Sequence, residues 1–152
     1  MTNPTQSKIE PPNYNFSLDR LAVFYPKSPV EKMSELHGEP EVYLTEGSRK
    51  ILRFSIKHER YNFPVFVEVE NNISVSFFTS LPTYFLHDLF HQSLINRYGP
   101  QQKFTHLEGK SVYQWTLPEM KLIYAGTCTI TCFPLYFAVS SESEKLIKKI
   151  KQ

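Results

Sequence analysis

The chain has 152 residues, 41% of them hydrophobic and 21% charged, with a formal net charge of +2, which describes an ordinary globular domain. A body of this length hides roughly 68–70% of its unfolded surface, so neither a disulfide nor a metal is required to hold it together. Its 12 Phe and 9 Tyr favour strands, while Lys and Arg interleaved with Glu give no charge block suited to nucleic acid or an anionic membrane.

Residues 1–15 are polar and carry Pro4, Pro11 and Pro12, so they are expected to form a flexible tail. They hold no apolar run able to serve as a signal segment or to span a bilayer. A cytoplasmic protein is therefore expected, the alternative being an exported one whose signal has been removed. Residues 16–25 fit a short helix or a short strand equally well. The stretch Ser28-Pro29-Val30-Glu31 reads as a capping box with proline at the first helical position, opening a helix with Val30, Met33 and Leu36 on its apolar side. Gly38 and Pro40 end it.

Three alternating segments follow, centred on Leu52-Phe54-Ile56, Val65-Val67-Val69 and Ile73-Val75-Phe77, and each predicts a strand. Asn71-Asn72 joins the last two as a two-residue hairpin loop, because asparagine tolerates positive φ. A second helix is expected from Thr83 to Tyr98, with Leu86, Leu89, Phe90 and Leu94 along its apolar stripe and Gly99-Pro100 as its stop. Strands are then predicted at about 112–117, 120–124 and 127–133, with Gly126 as a turn, followed by an edge strand at 135–139 and a final helix at 141–151. Cys128 and Cys132, placed on one strand, would stand about 13 Å apart at ~3.3 Å per residue. That is beyond the ~7 Å limit for a bridge, which predicts buried free thiols.

The two halves echo each other in one order: Gly38 answers to Gly99 and Phe54 to Trp115 at the same 61-residue offset, and Gly47 is answered by Gly109 between them. The expected fold is α+β, with two tandem repeats of a helix plus a three-stranded meander, about 28–80 and 83–139, in one domain spanning 16–152. Their strands would form one antiparallel sheet with the helices on one face.

A helix ending in Gly-x-Pro or Gly-Pro, followed by a meander with an aromatic strand and used twice, resembles the tandem-repeat β-lactamase inhibitor protein-like superfamily. Its single-unit relatives are the BamE-like small outer-membrane lipoproteins. The carriers are Gly38, Pro40, Gly47 and Phe54, then Gly99, Pro100, Gly109 and Trp115. The resemblance implies a non-enzymatic protein whose exposed, aromatic-rich sheet face clasps another protein.

Alternation places Arg53, Phe66, Glu68 and Phe78 from the first half on the face turned away from the core, with Gln114, Lys121, Thr129, Thr131 and Phe133 from the second. Arg and aromatics among small hydroxyls are the composition of interface centres, so these residues are the candidate protein-binding site. The expected function is a protein-binding module, an inhibitor, immunity-type partner or adaptor, with no catalytic residues, no metal and no cofactor. One alternative is a small-ligand binder with a pocket between the repeats lined by Phe54, Tyr113 and Trp115. Another is an enzyme built on His87, His91 and the cysteines, since two histidines one helical turn apart can reach one zinc ion.

Overall fold

Period-two alternation and two-residue turns govern most of the chain, and the computed structural model shows what they build across its described residues, 19–58, 61–81, 87–107, 109–128, 132–142, 144 and 146. The elements in chain order are α1 (Asp19–Ala22), α2 (Val30–His37), β1 (Glu41–Glu46), β2 (Arg49–His58), β3 (Tyr61–Glu70), β4 (Ile73–Ser80), α3 (His87–Tyr98), β5 (Lys103–Leu107), β6 (Lys110–Leu117), β7 (Met120–Cys128) and β8 (Cys132–Ser140). All eight strands join one sheet in the order β1-β2-β3-β4-β8-β7-β6-β5. Every neighbouring pair is antiparallel.

This corrects the expected fold class. Over its described residues the protein is mostly β, a single eight-stranded antiparallel sheet with three short helices, and not a pair of helix-plus-three-stranded-meander repeats. Two strands escaped the alternation test. The sequence of β1, Glu-Val-Tyr-Leu-Thr-Glu, is exposed at every residue but the half-buried Leu44, because an outermost strand needs no buried face to be held by its ladder. On the opposite edge, β5 lies similarly open, with Phe104 half exposed.

The segment expected to be an edge strand, β8, sits instead in the middle of the sheet between β4 and β7. Gly126 does not turn the chain. It lies inside β7 at a register shift, opposite Pro134 of β8, so the bulge accommodates the residue that cannot donate to the ladder. β7 ends at Cys128 and β8 begins at Cys132, so the two cysteines lie on different strands, directly opposite each other in register, and residues 129–131 lie outside the described residues. The distance argument against their pairing, which assumed a single strand, therefore does not hold.

The hairpin at Asn71-Asn72 forms as expected, with φ of 54° and 63°. The capping box does not. Val30 begins α2, Pro29 is its N-cap in an extended conformation, and no side chain caps it. The backbone of this segment is engaged elsewhere: the Ser28 carbonyl accepts from the Ser74 N–H at 2.8 Å, and the Val30 N–H donates to the Asn72 carbonyl at 2.9 Å. Pairing with the start of β4 outcompetes the local motif. Gly38, at φ 84°, closes α2 by donating its N–H to the Ser34 carbonyl at 2.9 Å.

The helices cover one face of the sheet. There Phe24, Met33, Phe54, Phe77, Leu94, Trp115 and Phe137 are fully or almost fully buried. Each such side chain contributes roughly 1.5–3 kcal/mol of burial. Trp115 also donates its indole N–H to the Gly99 carbonyl at 2.7 Å, tying the sheet to the end of α3. No helix among the described residues is long and apolar enough to cross a membrane. The expected tail at 1–15, the opening turn of the second expected helix and most of the expected C-terminal helix lie outside the described residues.

Candidate functional site

Register aligns the helix-free face into rows. One row crosses all eight strands: Glu41, Arg53, Phe66, Phe78, Ala138, Ile123, Gln114 and Lys103 are successive cross-strand partners. The next row, one pleat away, runs Leu44, Ile51, Glu68, Ser76, Ser140, Lys121 and Thr116. The structure thus brings Arg53, Phe66, Phe78 and Gln114 onto one line, with Glu68 and Lys121 on its neighbour. Thr129 and Thr131 lie outside the described residues, and Phe133 is placed only by its register in β8 opposite Thr127. Ser74 of β4 lies on the other face. A bulge between Glu68 and Val69 pairs Val69 with Ser74, whose hydroxyl donates to the Phe24 carbonyl at 2.7 Å under the helices.

Aromatic rings concentrate at the centre of the first row. The Phe78 ring lies 5.4 Å from Tyr136 of β8, and Phe66, register partner of Phe78, is met edge-on by Tyr43 of β1 at 5.0 Å. Separations of this size favour tilted and edge-on contacts. The Lys110 ammonium stands 5.6 Å above the Tyr136 ring, a cation–π contact, and burial raises the pKa of the Tyr136 hydroxyl above its ordinary value. Alternation could not find Tyr43 or Tyr136. Tyr43 occupies the β1 bulge, and Tyr136 belongs to a strand expected at the sheet edge.

The row is unevenly open. Tyr43 is 54% exposed, Phe66 and Tyr136 are half-buried, and Phe78 is 8% exposed and packed on Ala138. Phe78 is therefore a support for the patch, and its removal would cost core packing. Arg53 pairs with Glu41 at 3.3 Å at the open edge. Glu68, a candidate binding residue on the face turned away from the core, is fully buried and takes Arg49 at 2.6 Å, while Arg49 also reaches Glu70 at 3.1 Å. Opposite Glu68, the buried Ser76 hydroxyl finds no hydrogen-bond partner among the described residues.

Phe54, Tyr113 and Trp115, expected to line a pocket between the repeats, are buried in the helix-side core. A cavity of about 620 Å³ opens instead at one end of the sheet. The β3–β4 hairpin, the β6–β7 turn at Pro118-Glu119, the segment before α2 and Ser141 enclose it. Of the candidate zinc histidines, His91 packs 4.1 Å from the Tyr113 ring and bonds to Gln101. Among the described residues no three His, Cys, Asp or Glu side chains come together in a group that could hold a metal ion.

No family model matches the chain, and no curated protein matches it. Among solved structures it is similar to a DUF4309 family protein, YjgB, from Bacillus subtilis, seen in a crystal structure at 2.13 Å resolution. The two share 10% identity with a TM-score of 0.46, over 78% of this chain and 81% of that one. A likeness this distant supports no functional argument, and membership of the β-lactamase inhibitor protein-like superfamily is not confirmed by these comparisons.

Proposed function

We propose that the protein is a non-enzymatic module that docks another protein on its helix-free face, acting as an inhibitor, immunity-type partner or adaptor. The observation that supports this reading is the aromatic row: Tyr43, Phe66, Phe78 and Tyr136, from four different strands, are contiguous and end on an open side at Tyr43. Aromatic anchors beside an arginine, rimmed by charged groups, are what interface centres are made of. Rigid strands present them, so little ordering entropy opposes docking.

The test is affinity capture from native extract followed by titration of the captured protein, using the wild type, Tyr43→Ala and Phe66→Ala. Loss of an anchor should weaken binding by about 1–3 kcal/mol, or roughly 5–150-fold, with a melting temperature close to the wild type for the exposed Tyr43. If both variants bind a captured partner as tightly as the wild type does, the face is not the docking surface.

A further inference from the structure

The cavity at the turn end of the sheet is separate from the aromatic row, and its volume of about 620 Å³ is within the range of small-molecule sites. Ile73, Val75, Leu117 and Met120 supply apolar wall, with Pro26 and Pro118 beside them. Ile73 is 39% exposed, unusually open for a branched aliphatic side chain in a cavity wall.

Of the polar side chains in the walls, those of Lys27, Glu70, Ser74, Glu119 and Ser141 are engaged within the protein, and Asn71 is exposed on the hairpin loop. The Ser74 hydroxyl donates to the Phe24 carbonyl at 2.7 Å, and the Ser141 hydroxyl donates to the Val75 carbonyl at 2.7 Å. The Lys27 N–H donates to the Ser74 carbonyl at 2.8 Å, while its ammonium pairs with the Glu119 carboxylate across the mouth. Glu70 accepts from Arg49 at 3.1 Å and from Ser48 at 3.0 Å. Lys27 is held at φ 81°, a conformation rare for a residue with a side chain, and its two contacts fix it there at the rim.

A charged ligand entering this cavity would have to break one of these bonds or leave its own charge unpaired against hydrocarbon. An apolar one loses nothing. We propose that this cavity is a binding site for an uncharged, predominantly apolar small molecule, independent of the protein-docking face.

Two dyes sharing one ring system test it on the full chain: neutral N-phenyl-1-naphthylamine and its anionic sulfonate, 1-anilinonaphthalene-8-sulfonate. The neutral dye should bind saturably at one site, with the sulfonate weaker by about ten-fold or more because its charge finds no partner. Ile73→Lys and Met120→Lys, each placing an ammonium in the wall, should each weaken the neutral dye by about ten-fold or more while the melting temperature stays near the wild type. Phe66→Ala should leave its affinity unchanged. The proposal is overturned if the wild type shows no saturable binding of the neutral dye, if the sulfonate binds more tightly, or if a folded lysine variant keeps wild-type affinity. Loss of dye binding in Phe66→Ala would overturn it too, by moving the dye to the aromatic row.

Discussion

Replacing Glu68 with alanine tests the most costly feature of the helix-free face. The carboxylate is fully buried, and its partner Arg49 is 12% exposed with its Nη1 at 2.6 Å. Removing one member of a buried ion pair costs about 3–5 kcal/mol, because the remaining charge is left uncompensated. Here the loss is smaller, since Arg49 keeps Glu70 at 3.1 Å and Glu70 is 39% exposed, where water shares in the solvation. About 2–3 kcal/mol is expected, which for a chain of this size, at about 2–4 °C per kcal/mol, lowers the melting temperature by roughly 4–12 °C. The double variant Arg49→Met with Glu68→Leu removes both charges and fills the space with apolar atoms. It should recover most of that loss, as apolar replacements of buried pairs commonly do. Urea and thermal melts of Glu68→Ala, Arg49→Met and the double variant give the coupling energy through a double-mutant cycle. The reasoning fails if Glu68→Ala costs under about 0.5 kcal/mol, or if the double variant loses as much as the two single losses together.

The Ser76 hydroxyl is buried beside Glu68 without a partner among the described residues, so Ser76→Ala should raise stability by about 1 kcal/mol in urea melts. A loss of that size would mean the hydroxyl is satisfied by ordered water. His37 is stacked on Phe24 at 5.2 Å, and its pKa is lowered, first by burial and then by the charge of Arg20, against the bond of its ring to the Arg20 carbonyl. The unfolded chain therefore takes up the proton first, and stability should fall as pH drops below about 6.5 toward the lower folded value. His37→Phe keeps a ring on Phe24 and should flatten that slope; an unchanged slope in pH-dependent melts would remove His37 as its cause.

Several features were legible in the sequence because each depends on a few neighbouring residues. Alternation separated Phe54, Val65 and Val67 from Arg53 and Phe66, and those faces are the ones observed. Asn71-Asn72 marked its hairpin, because positive φ is a property of the residue itself. The loop set Glu70 opposite Ile73, but it would have paired Phe66 with Phe77; the bulge between Glu68 and Val69, which no local pattern marks, shifts the register so that Phe66 meets Phe78.

What only the tertiary structure decided is everything that depends on strands distant in the chain. β1 buries none of its residues fully, so its place comes from the open ladder of β2, and with it comes the Tyr43 contact to Phe66. The central position of β8, and hence Tyr136 beside Phe78, depends on β4 and β8 pairing across more than fifty intervening residues, where no local pattern encodes a partner. The Ser28 cap was lost because Ser74, remote in sequence, claimed the same backbone. Glu68 was read as a surface charge because alternation assigns a side chain to a face, whereas its burial depends on Arg49 and on the strands that flank it in space.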